Sequence, residues 1–280
     1  MRDGTVYQKL AIPGTRVRAL AAAALAFCLC LAPNANAADV PVDLELVFAV
    51  DVSGSIDWEE ASLQRRGYIE AVNSEEVTAA IRSGPHGRIA VAYIEWAGAY
   101  LQRTVIDWMV LDGPASAQTF TAFLSEAPID TGPWTSISGA IRYAMPMFTN
   151  NGYQGSRRVI DISGDGPNNA GTPVEEARRA AVEAGITING LPIVNDRPGP
   201  GGMRGIRDLD RYYAQCVIGG PGAFMVVARS FGDFSRAIKR KLVFEIAGRT
   251  PEDAPRLIRA QGAQPAYCFS GERQMRGGQF

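Results

Sequence analysis

The chain has 280 residues, a formal charge of −1 at pH 7, and 46% apolar, 20% charged and 9% aromatic residues. That balance supports a buried core and excludes a wholly disordered chain, a collagen and a polytopic membrane protein. It also leaves nucleic-acid binding without a basic field to rest on. The single histidine, His86, excludes a histidine-rich zinc site or a haem with two axial histidines within one chain.

Arg16 and Arg18 precede the apolar run Leu20 to Leu31, which is followed by Pro33 and Ala35-Asn36-Ala37. A basic flank, a short apolar run and a small-x-small site read as a cleaved signal peptide over residues 1–37. The run is shorter than the ~20 apolar residues of a membrane span. The expected compartment is a bacterial periplasm, with the extracellular space second, and no integral membrane segment is expected after cleavage. Cys28 and Cys30 lie inside the run, so Cys216 and Cys268 remain. Export permits a disulfide, and two cysteines allow one intramolecular pairing. A buried thiol is the alternative for Cys216, which sits among apolar residues.

Residues 38–247 read as one α/β domain. Leu44 to Val50 is almost continuously apolar, as a parallel strand covered on both faces should be. Glu59 to Ile81 predicts one long helix. Arg88 to Trp96 and Gln102 to Leu111 are strand-like and joined near Gly98, which makes one of the pair antiparallel. Ser116 to Ala127 predicts a short helix. Ile137, Ile141, Ala144, Met145 and Phe148 form a helical stripe with a kink expected at Pro146. Arg158 to Ile162 is the next strand, and Pro173 to Ala184 a helix closed by Gly185. Ile186 to Val194 is a strand whose end bends at Gly190 and Pro192. Asp196 to Gly205 predicts an irregular loop. Ile206 to Cys216 is a helix, Phe224 to Val227 a last strand, and Phe231, Phe234, Ile238 and Leu242 the stripe of a closing helix. The alternation predicts a doubly wound, mostly parallel sheet of about six strands, with helices on both faces and one antiparallel edge strand. Residues 248–280 read as a tail unless Cys268 ties it down.

The first strand ends in Asp51-Val52-Ser53-Gly54-Ser55. An acid and two hydroxyls there lie at the carboxyl edge of the sheet, where open α/β folds bind ligands. Helix capping is the structural alternative. Thr135 stands just before the Ile137 helix, and Ser163-Gly164-Asp165-Gly166 follows the strand ending at Ile162. In a doubly wound sheet these positions can share the edge with Asp51.

Asp-x-Ser-x-Ser, a threonine opening a helix, and Asp-Gly after an apolar strand together resemble the metal-ion-dependent adhesion site of the von Willebrand factor A-type domain. Three stretches, Leu63-Gln64-Arg65-Arg66-Gly67-Tyr68, Ser163 to Asn169 and Gly219 to Phe224, are similar to a bacterial exported branch of that superfamily of unknown function, DUF1194. The resemblance implies a metal set of Asp51, Ser53, Ser55, Thr135 and Asp165. The family's usual Thr-Asp-Gly stands here as Gly164-Asp165-Gly166, so one hydroxyl is lost while Asp165 is retained.

Two aspartates balance a divalent charge, and the oxygen-only donor set suits Mg²⁺, with Mn²⁺ or Ca²⁺ as alternatives. A free coordination position would accept a carboxylate from a protein partner. The function expected is therefore a non-catalytic, metal-dependent binding domain. A metal-assisted hydrolase at the same site and a metal-free scaffold are the alternatives. A serine nucleophile at Ser53 or Ser55 lacks a base, because His86 is expected at the opposite edge.

Around this set, Asn168 and Asn169 are candidates for supporting bonds or for contact with a partner, with turn residues as the alternative, and Trp96 and Trp134 border the metal face or pack. Tyr212, Tyr213 and Phe224 read as packing residues. Arg65 and Arg66 read as a solvated face from which one could reach an acid, and Lys239-Arg240-Lys241 as a solvated charge run. The glycines from Gly199 to Gly205 lack the lysine of a phosphate loop.

Overall fold

The computed structural model describes Met1 and residues 38–194, 208–250 and 265–277. The expected leader and the loop Asp196 to Gly205 therefore lie outside the described residues. Strand β2 (Glu45–Asp51) is fully buried along its length, as its apolar run requires. It pairs in parallel with β3 (Ile89–Trp96) on one side and β6 (Arg158–Gly164) on the other. β4 (Gln102–Leu111) is antiparallel to β3, and β7 (Thr187–Pro192) is parallel to β6. The sheet order is β4-β3-β2-β6-β7. Two short strands, β1 (Val40–Val42) and β5 (Tyr153–Gly155), form a separate parallel pair at the amino-terminal end of β2.

Among the described residues the main sheet has five strands, one fewer than expected. Phe224 to Val227 does run beside β7 in parallel, but it joins only through isolated bridges at Gly190–Met225 and Ile193–Ala228. Pro192 has no amide proton to give, so a continuous ladder cannot form there. The bonds that remain are Gly190 N to Phe224 O at 3.1 Å, Val226 N to Gly190 O at 3.1 Å, Ala228 N to Pro192 O at 3.0 Å and Val194 N to Ala228 O at 2.8 Å.

Side chains alternate across β2 and build two cores. Leu44, Leu46, Phe48 and Val50 face the first. It is covered by helices α1 (Trp58–Val72), α2 (Glu75–Arg82), α3 (Pro114–Glu126) and the closing helix (Phe234–Ile246). Val47 and Ala49 face the second, under α4 (Ile137–Ala144), α5 (Val174–Glu183) and α6 (Leu209–Tyr212). The closing helix is α7. Phe48, Tyr68, Tyr93 and Phe120 pack tilted or edge-on in the first core.

The helix expected over Glu59 to Ile81 is two helices. Ser74 breaks it by accepting from Val77 N at 3.4 Å, as the cap of α2, and donating back to Ala71 O at 2.7 Å. Pro146 opens a 3₁₀ turn over Met145–Phe148, the kink its ring demands. Beyond α6 the chain takes a π-helical turn, Tyr213–Val217.

The charge-run reading fails at Lys241. Its side chain is fully buried and 2.6 Å from Asp161. Helix α7 places Lys241 one turn from Glu245, with Leu242 and Ile238 alongside on the core face, so the helical period carries a lysine inward. Arg65 also leaves the solvated face to reach an acid, buried Glu95, while Arg66 stays exposed.

Cys216 and Cys268 are disulfide-bonded, with Cα atoms 5.6 Å apart. The bond ties α8 (Pro265–Cys268) and α9 (Ser270–Gly277) to the second core. Among the described residues no helix is long and apolar enough to cross a membrane.

Candidate metal centre

β2 and β6 are neighbours, and their carboxyl ends deliver Asp51 and Asp165. Beyond β2 the chain turns through Ser53 and Ser55 into α1. That helix starts at Asp57, which accepts from Glu60 N at 2.8 Å while Glu60 answers to Asp57 N at 3.2 Å, a capping box. The turn is stitched to the loop ahead of Thr135 by Gly132 N to Val52 O at 3.1 Å and a parallel bridge between Ser53 and Gly132. Three segments distant in sequence thus meet at one edge.

The five expected residues come together there. Ser55 Oγ donates to Asp165 Oδ1 at 2.6 Å and lies 3.1 Å from Ser53 Oγ. Thr135 Oγ1 donates to Ser53 Oγ at 3.3 Å. Asp51 Oδ1 accepts from Ser53 N at 2.7 Å. Asp51 and Ser53 are fully buried, Thr135 nearly so, and Ser55 and Asp165 half-buried. Asp51 Oδ2 is buried with no hydrogen-bond partner among the described residues.

Burial is the largest cause raising both carboxyl pKa values. Asp51 is pushed well above the carboxylate range by desolvation and then by the charge of Asp165. Asp165 rises to about 6 through desolvation, opposed by the Ser55 hydrogen bond, with Glu60 adding to the rise. A cation between the two would remove this penalty, since an adjacent positive charge favours the ionised form. Among the described residues no group of three or more His, Cys, Asp or Glu side chains converges. A metal here would therefore rely on hydroxyls beside two carboxylates, an all-oxygen set that fits a hard divalent ion.

Position 164, where the resemblance expects threonine, cannot hold one without movement. A β-carbon on Gly164 would stand 2.7 Å from Asp51 Oδ2 and 3.0 Å from the Tyr213 hydroxyl. Glycine there lets Tyr213 approach the site.

Both asparagines act as supports. Asn169 Oδ1 accepts from Thr135 N at 2.8 Å, and Asn169 N returns a bond to Thr135 O at 2.8 Å. Asn168 Oδ1 accepts from Ser138 N at 3.0 Å, inside the first turn of α4, whose cap is Ser136. Asn168 Nδ2 donates to Glu272 Oε1 of α9 at 2.9 Å, so the carboxy-terminal segment reaches the loop behind Asp165.

One group of supporting residues was hidden in the sequence. Arg65 and Arg103 both bind Glu95, and they donate to the Pro128 carbonyl at 3.2 Å and 2.6 Å. They pin the backbone that leads into Gly132 and Thr135. Only the opposite charges of three separated residues could have signalled this, and sequence spacing does not pair them.

Trp96 is fully buried and belongs to the core. Trp134 is half exposed and sits in the left-handed region at φ 69°. Tyr212, Tyr213 and Phe224 are buried, as packing residues should be. His86 lies at the amino-terminal edge, where its backbone N donates to Asp43 Oδ1 at 3.0 Å.

Comparison with solved structures supports the fold. Proximal thread matrix protein 1 from the mussel byssus, described with a zinc-occupied MIDAS motif, superposes with a TM-score of 0.50 at 17% identity, over 75% of this chain and 48% of that one. A von Willebrand factor type A protein from Catenulispora acidiphila gives 0.52 at 12% identity, over 73% and 43%. The pilus adhesin SpaC from Lactobacillus rhamnosus GG gives 0.52 at 15% identity, over 74% and 30%. This chain thus spans less than half the length of each. No curated protein matches the sequence. Residues 41–250 match the family described as a protein of unknown function, DUF1194, and with three-quarters of its length inside that match the chain belongs to it.

Proposed function

We propose that this chain is an exported, divalent-cation-dependent binding domain, acting in the periplasm or outside the cell. Asp51, Ser53, Ser55, Thr135 and Asp165 would hold the metal, with Mg²⁺ the first choice. A carboxylate from a protein partner would complete the coordination shell. The observation that carries this reading is the meeting of all five oxygen-bearing side chains in one connected set, with Asp51 Oδ2 buried and unpartnered. The zinc-occupied motif of the mussel protein and the adhesin role of SpaC support it by likeness of fold. A hydrolase would need a base beside the metal. The nearby carboxylate, Glu60, is engaged in capping α1, which favours binding over catalysis.

The test is retention of a partner from an exported-protein fraction by the immobilised chain. Retention is expected with Mg²⁺, lost with chelator, and absent in Asp51→Ala under both conditions. Equal retention by Asp51→Ala and wild type would contradict the proposal.

A further inference from the structure

Tyr213 begins the π-helical turn after α6, and its ring is fully buried in the second core. Its hydroxyl has no hydrogen-bond partner among the described residues, and neither has Asp51 Oδ2. Both atoms approach the bare face of Gly164, within 3.0 Å and 2.7 Å of where a β-carbon would stand. Buried polar groups are nearly always paired, because leaving one unpaired forfeits its hydration without return. Here the two chemistries are complementary. An ionised carboxylate only accepts, and a phenol can donate. A phenol keeps its proton at neutral pH.

The neighbouring tyrosine shows the same logic on another loop. Tyr212 Oη accepts from Asn168 N at 3.2 Å and lies 3.5 Å from the Cys268 carbonyl. The junction of α6 with the π-helical turn, an uncommon backbone form that recurs at functional sites, therefore sets two adjacent tyrosines against the two halves of the metal edge.

We propose that Tyr213 is a positioning residue of the metal centre: its hydroxyl donates to Asp51 Oδ2 across one water and fixes the carboxylate in the orientation that serves a divalent cation. The proposal rests on the metal-site reading above. Ser53 N holds one carboxylate oxygen at 2.7 Å, and Tyr213 supplies the constraint on the other. It also explains Gly164, because any side chain there would wedge the two oxygens apart.

The test uses the full chain and two variants, Tyr213→Phe and Tyr212→Phe, titrated calorimetrically with MgCl₂ and MnCl₂. Near-UV tyrosine difference spectra are recorded at the same time. Tyr213→Phe should weaken both metals about 10-fold, the lower end of what losing an outer-shell partner costs. Its metal-free Tm should change little, since the hydroxyl has no direct partner among the described residues. The metal-induced tyrosine signal should vanish in Tyr213→Phe and persist in Tyr212→Phe. Wild-type affinity to within roughly twofold in Tyr213→Phe, with the signal intact, would overturn the proposal while leaving the metal site standing. A wild-type chain giving neither heat nor stabilisation would overturn the metal site and this proposal together. Should Tyr213→Phe fail to fold, Gly164→Ala keeps the tyrosine and adds the wedge; unchanged metal affinity there would equally overturn it.

Discussion

Asp51 and Lys241 are both fully buried charges, and their surroundings differ in kind. Asp51 ends the central strand with one oxygen tied to a backbone amide and the other unpaired, beside a second raised carboxyl. Lys241 lies 2.6 Å from Asp161 and 3.2 Å from Glu245, whose carboxylate also accepts from Asn189 at 2.5 Å. Removing the cation alone would strand buried Asp161, so Lys241→Met should cost about 3–5 kcal/mol in urea unfolding. A loss under about 1 kcal/mol would show that the pair is not buried in solution. Glu245 has its pKa raised to about 7 from 4.5, mainly by desolvation, with Lys241 opposing the rise. The folded protein therefore holds this proton to higher pH than the unfolded chain. The stability it contributes is full below about 4.5 and is lost as pH rises through about 7. Unfolding curves at pH 5 and pH 8 should show a smaller fall for Glu245→Gln than for wild type; parallel falls would contradict this. The five candidate residues could be picked out in sequence because each ends or opens an element at a fixed offset. Tyr213 could not, since a tyrosine facing Gly164 across 49 positions leaves no local period, and Lys241, although on the apolar stripe of α7, was hidden because its buried acidic partner Asp161 lies on a distant strand.

At the scale of elements, the carboxy-terminal segment, a tail unless Cys268 ties it down, is tied there and is in part a brace. The disulfide fixes α8 beside the π-helical turn, and α9 then lays Glu272 against Asn168, which orders the first turn of α4 behind Thr135. Closing a loop of 52 residues stabilises by about 4 kcal/mol in the chain-entropy model. Reduction should lower the Tm, and amide exchange should quicken at Asn168, Asn169 and Ser138 before it does in β2. Uniform quickening would mean that the bond stabilises without bracing the site. The edge beside β7 illustrates the limit of strand prediction. Gly190 and Pro192 marked the bend, yet the loss of a regular sixth strand follows from an amide that Pro192 lacks, which composition alone leaves ambiguous. The break at Ser74 is similar: serine competes for the backbone only when a new helix start lies within reach.

Across the whole molecule, β2 sends its chain to β3 and β4 on one side, while β6 and β7 lie on the other. A strand order that reverses at β2 opens a crevice at the carboxyl edge, where doubly wound sheets take their ligands. Asp51 and Asp165 flank that point, and Thr135 is carried to it by the loop pinned through Arg65, Arg103 and Glu95. The parallel core and the antiparallel β4 were readable from run length and the short turn near Gly98. The braces around the site were not, because they join residues through charge and burial across the sheet. The central claim is that this edge binds a divalent cation. Calorimetric titration of metal-stripped protein with MgCl₂, set beside Asp51→Ala, tests it most directly. The account predicts a single saturable site in wild type, a raised Tm on loading, and loss of both in a folded Asp51→Ala. No heat and no stabilisation by millimolar Mg²⁺, Mn²⁺ or Ca²⁺, or unchanged affinity in Asp51→Ala, would contradict it.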